Sequence, residues 1–106
     1  MNIEERRVRH KISKENARQR AREFITAYLA QHPCVDCGES DSIVLTFDHV
    51  RGEKRDNISD MVRNGLSVEA IRAEIEKTEV TCFNCHAIRT QKRSESYRWQ
   101  RINGGG

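Results

Sequence analysis

The sequence predicts a single small α+β domain, and three observations carry that prediction. Ala17, Ala21, Phe24, Ile25, Tyr28 and Leu29 recur at helical spacing and make one apolar stripe. The run Ile43-Val44-Leu45-Thr46-Phe47 is β-branched, aliphatic and aromatic, as a strand is. Four cysteines fall as Cys34-x-x-Cys37 and Cys82-x-x-Cys85, with 44 residues between the pairs. In 106 residues, 36% are hydrophobic, 6% aromatic and 33% charged, so the core is thin and needs a covalent or metal staple.

The elements follow in order. A helix is expected from Lys14 to Gln31, with Ser13 as N-cap, Glu15 in its first turn and Pro33 as its stop. Pro33 and Gly38 bracket the first cysteine pair and suit a tight turn. A strand is expected from Ser42 to Val50, then a polar loop from Arg51 containing Gly52. A short helix is expected around Met61 and Val62, closed by Gly65. A firmer one starts on Ser67 as cap, carries Val68, Ile71 and Ile75 on one face, and runs to about Thr78. Glu79–Thr81 is expected as a second strand leading into the second cysteine pair. From about Cys85 a basic helix extends toward Trp99, with Trp99 and Tyr97 expected to pack onto the domain, a partner surface being the alternative. His10 and His32 have no informative neighbours and are expected in solvent. The expected divisions are a basic helical arm (1–32), a stapled domain (33–93) and a helical C-terminal extension (94–106) whose last glycines are disordered.

Ile43-Val44-Leu45 is the longest aliphatic stretch, far short of the ~20 residues a membrane span needs. The first residues carry acids and no apolar core, so no secretory signal is visible and a cytoplasmic location without membrane partners is expected. In that compartment disulfides do not persist. Two Cys-x-x-Cys turns then read as a tetrahedral zinc site built from Cys34, Cys37, Cys82 and Cys85; the remaining reading is two redox or unpaired cysteine pairs.

The net charge of +3 is unevenly spread. Residues 1–30 hold eight Lys/Arg against four Glu, residues 31–85 six against eleven acids, and residues 86–106 five against one. Two basic ends flank an acidic middle, so a polyanion such as DNA would be gripped at the ends. Arg18, Arg20 and Arg22 of the first helix, and Arg89, Lys92 and Arg93 of the last, are the candidate phosphate contacts. Solvated helix faces are the competing reading.

Asp48-His49 closes the first strand and His86 follows the last cysteine. A shared zinc would draw the strand end and the second cysteine turn together, putting these three side chains within reach of one another. Asp and His suit an open divalent-cation site, and a neighbouring histidine suits a general base. Adjacent strand residues point to opposite faces. Asp48 and His49 can therefore share a site only where the strand breaks or at its end.

Cys34-Val-Asp-Cys37, Leu45-Thr-Phe-Asp-His49 and Cys82-Phe-Asn-Cys85-His86 together resemble the zinc-containing branch of the HNH endonucleases, with its ββα-metal fold. The match covers roughly residues 24–93 and looks most like small phage-encoded or prophage members. The resemblance implies a phosphodiester hydrolase acting on DNA. It makes His49 the base that activates water, Asp48 and His86 the ligands of a catalytic Mg²⁺, Mn²⁺ or Ni²⁺ ion, and the four cysteines a structural zinc site. It implies 5′-phosphate and 3′-hydroxyl products, and phage packaging proteins as possible partners. The family's middle Asn has two candidates, Asn84 first and Asn57 second. Two other functions remain: a non-catalytic zinc-ribbon-like DNA-binding protein, which accounts for the cysteines and the basic ends but leaves Asp48, His49 and His86 unexplained, and a phage packaging accessory that retains a nuclease-derived fold.

Overall fold

A computed structural model describes residues 2–103; the expected disorder of the terminal glycines lies outside these residues. The chain is α+β, with five α-helices and a two-stranded antiparallel sheet among the described residues. Helix α1 spans Ile3–Ala30, eleven residues earlier than the apolar stripe predicts. Its cap is Asn2, whose Oδ1 accepts from the Glu5 N–H at 2.8 Å, with Glu4 and Glu5 favourably placed in the first turn. Ser13 lies inside the helix and caps nothing. The stripe starts only where the helix meets the rest of the protein. Residues 3–16 are exposed throughout and are helical by propensity, which leaves no periodic signature.

From Ala17 onward α1 is part of the core. Ala21 is fully buried against α2 (Ile58–Arg63) and α3 (Val68–Ile75), beside Met61 and Ile71. The helical arm and the segment 33–93 therefore share one apolar cluster. Gly65 follows α2 with φ +73°, and a Cβ there would sit 2.8 Å from Lys14 Cγ, so the turn that seats α2 on α1 requires glycine.

Ser42–Val44 is a 3₁₀ turn, not strand, because Asp41 Oδ1 accepts from the Ile43 N–H at 3.0 Å. Strand β1 is Leu45–His49 and pairs with β2, Thr78–Cys82, in register Leu45↔Cys82 through His49↔Thr78. Thus α2 and α3 are carried on the connection between two paired strands. Helix α4 (Phe83–Arg93) starts directly from β2, and α5 is Tyr97–Asn103. The expected single helix toward Trp99 breaks at Glu95, whose φ is +49°. Ser96 Oγ then accepts from the Trp99 N–H to begin α5. Trp99 is half-buried, whereas Tyr97 is 69% exposed and does not pack as expected.

A second small cluster, of Cys34, Leu45, Val80 and Cys82, lies under the sheet. Tyr28 and Phe47, 6.0 Å apart between ring centroids, pack against both clusters and join them. No helix among the described residues is long and apolar enough to cross a membrane.

Candidate functional site

The four cysteines meet. Their sulfurs all lie within 4.8 Å of one another, with Cys37 Sγ and Cys82 Sγ 3.7 Å apart. Zinc–sulfur bonds of about 2.3 Å in a tetrahedron put sulfurs about 3.8 Å apart, so this donor set fits a zinc ion. Local structure builds each half. In the first turn the Gly38 N–H donates to the Cys34 carbonyl and the Cys34 N–H to the Glu39 carbonyl, both at 2.9 Å. Gly38 takes φ +80°, the left-handed value such a turn demands. In the second, Cys82 ends β2 and caps α4, its sulfur accepting from the Cys85 N–H at 3.4 Å. Burial works against ionising Cys34. Backbone N–H groups from Cys82, Cys37 and Asp36 outweigh it and bring the thiol down to about 6. Burial and the neighbouring sulfurs push Cys85 up instead. Crowded thiols resist ionising together, and a bound cation removes that conflict.

Next to this anchor lies an open cleft of about 610 Å³, lined among others by Asp48, His49, Lys54, Asn57, His86 and Arg93. Strand alternation is obeyed: α4 holds Asp48, and α3 holds His49, at the end of the strand where both reach one cleft. His86 Nε2 stands 3.8 Å from Asp48 Oδ1. Two cis ligands of an octahedral ion, each about 2.1 Å from it, stand about 3.0 Å apart, so a shared divalent ion would draw these two side chains together.

Asp48 is 3% exposed and already carries cations. Arg93 grips both its oxygens, and Arg89 Nη1 reaches Oδ2 at 2.7 Å. The Arg93 guanidinium, aided by Arg89 against the effect of burial, holds the carboxyl down at about 2. Arg89 also binds Asp36 through two bonds of 2.7 Å and Glu79 at 3.1 Å. It therefore ties the first cysteine turn, both strands and α4 together, and is committed to carboxylates instead of the phosphates expected from sequence. Asp36, inside the first cysteine turn, and Glu79 were not anticipated.

The other expected phosphate contacts divide. Arg18 and Arg22 pair with Glu15, and Arg18 Nε also donates to the Arg63 carbonyl. Arg20 is exposed, and Lys92 Nζ lies 6.0 Å from the Trp99 ring centroid. Asn84 is exposed and lines a different cleft with Cys37 and Cys82, whereas Asn57 lines the cleft of His49. His32 is exposed as expected but stacks on Tyr28 at 3.8 Å.

Glu74 is the residue the sequence reading missed. It is 2% exposed and accepts three hydrogen bonds of 2.9 Å, from His49 Nε2, the Lys77 ammonium and the Arg55 backbone N–H. Burial opposes its charge, but these donors prevail and bring the carboxyl down to about 2. The signal was legible: Glu74 stands three residues after Ile71 and one before Ile75, on the face of α3 that turns inward. The chain matches no protein-family model, no characterised protein and no solved structure.

Proposed function

We propose that this protein is a metal-dependent DNA endonuclease of the HNH type. The observation that carries the proposal is the convergence of Asp48, His49 and His86 on one open cleft beside a four-cysteine anchor. His49 takes a proton from water, the resulting hydroxide attacks phosphorus, and the bond to the 3′ oxygen breaks, that oxygen taking up a proton from solvent, to leave 5′-phosphate and 3′-hydroxyl ends. Asp48 and His86 would hold a divalent ion, which when bound would supply Lewis-acid neutralisation of the phosphate and leaving oxygen. Asn57 shares the cleft and Asn84 does not, which favours Asn57 as the asparagine near the base. Phosphates are gripped by Arg20, Lys92 and the cations of the exposed start of α1, where Arg6, Arg7, Arg9, Lys11 and Lys14 stand with no acid between them.

One observation favours a second reading, a non-catalytic zinc-bearing DNA binder. Two arginines occupy the Asp48 carboxylate that the ion would need. Incubating zinc-loaded protein with supercoiled plasmid and Mg²⁺, Mn²⁺ or Ni²⁺, against an EDTA control, separates the two. Nicked or linear product that requires the added ion, and that His49→Ala loses, supports the nuclease. Retarded but intact plasmid under every condition supports the binder.

A further inference from the structure

Glu74 has no part in the chemistry above, yet its carboxylate is buried on α3 and bonded to the ring of the candidate base. We propose that Glu74 is the positioning residue for His49, holding the imidazole through Nε2–H so that Nδ1 is left as the proton acceptor. This rests on the nuclease reading for its kinetic consequence, but not for its geometry.

An ionised carboxylate is acceptor-only, so the 2.9 Å contact requires the proton to sit on Nε2. A neutral imidazole then has one free lone pair, on Nδ1. Glu74 is itself fixed. Lys77 Nζ holds Oε1 and also bonds the Glu53 carbonyl at 2.8 Å, while the Arg55 N–H shares Oε2 with the histidine. These contacts join the loop after β1 to α3, so the carboxylate cannot follow the ring if the ring turns. When Nδ1 takes a proton from water, the Nε2–H stays in place and faces a negative charge, which stabilises the imidazolium without Glu74 being protonated. Outer partners that orient a metal-ligating histidine are typically worth 10–100-fold, and an effect at the lower end of that scale is expected for Glu74 acting on His49.

Two measurements on the full-length, zinc-loaded protein test this. In the wild type, nitrogen-resolved proton NMR, assigned by loss of the signal in His49→Ala, should show a downfield, slowly exchanging proton on His49 Nε2. That proton should shift or exchange away in Glu74→Gln. A proton on Nδ1 in the wild type, or an exposed, rapidly exchanging Nε2–H, overturns the proposal whether or not the protein cleaves DNA. In single-turnover cleavage, Glu74→Gln should lower the rate about tenfold with DNA affinity unchanged, with Glu74→Asp in between. In the His49→Ala background the same change should cost nothing further. An equal loss with and without His49 means that Glu74 only supports the fold, and overturns the assignment.

Discussion

Arg93 chelates Asp48: Nη1 lies 2.8 Å from Oδ1 and Nη2 2.7 Å from Oδ2, with His86 Nε2 3.8 Å from the same Oδ1. A guanidinium thus stands at the oxygen that a divalent ion shared with His86 would use. Two unit charges ~4 Å apart near a protein surface interact by about 4 kcal/mol, and half-exposed Arg93 delivers only part of that. Arg93→Ala should therefore bind Mn²⁺ about tenfold more tightly, equivalent to ~1.4 kcal/mol, by calorimetry on zinc-loaded protein. Unchanged or weaker binding would remove Asp48 as a ligand.

His49→Ala should reduce cleavage by about 10²–10⁴-fold, the usual worth of a positioned general base. Zinc content, circular dichroism and DNA retention should stay as in the wild type. Retained cleavage in that variant assigns the base elsewhere.

Cys82 ends β2, caps α4 and brings its sulfur into the four-cysteine cluster. Structural zinc contributes about 10–16 kcal/mol of apparent binding free energy, as much as a small domain's whole stability. Cys82→Ser should leave the purified protein with less than one zinc per chain and without a cooperative thermal transition. A variant that melts at the wild-type temperature shows that the sulfurs are not a staple.

Arg89 is a fold residue by the same standard, since its side chain is 19% exposed and bonds three carboxylates. Removing one partner of a buried ion pair typically costs about 3–5 kcal/mol. Arg89→Ala should lie near 3 kcal/mol in urea denaturation, because Arg93 still neutralises Asp48. A loss below ~1 kcal/mol, with weakened DNA binding instead, would return Arg89 to the phosphate contacts.

Glu74 sets an acid limit. Its pKa falls from an ordinary 4.5 to about 2 on folding, so its stabilisation is fully present above pH 4.5 and lost as pH drops through 2. The stability gap between wild type and Glu74→Gln should close across that window. The comparison holds over the part of that window in which zinc stays bound and both proteins still unfold cooperatively, because loss of the staple would itself unfold them. A gap that does not change with pH shows that the Glu74 carboxyl is not held ionised by its donors.

Features with a local cause are legible in the residues alone. Two residues between cysteines set each turn, Ser67 caps α3 through its hydroxyl, and the apolar spacing in Ala17–Leu29 marks the part of α1 that meets the core. Local too, though unread, were the Asn2 cap and the left-handed Glu95 that splits the last helix. Tertiary structure decided the partners. Arg89 and Asp36 are 53 residues apart, Arg93 and Asp48 45, and His49 and Glu74 25. Nothing in the spacing of a charged residue tells whether it will meet phosphate or a buried carboxylate. That depends on which strands pair and which helix faces close over them, and a buried charge then accepts the nearest opposite charge because remaining alone costs several kcal/mol.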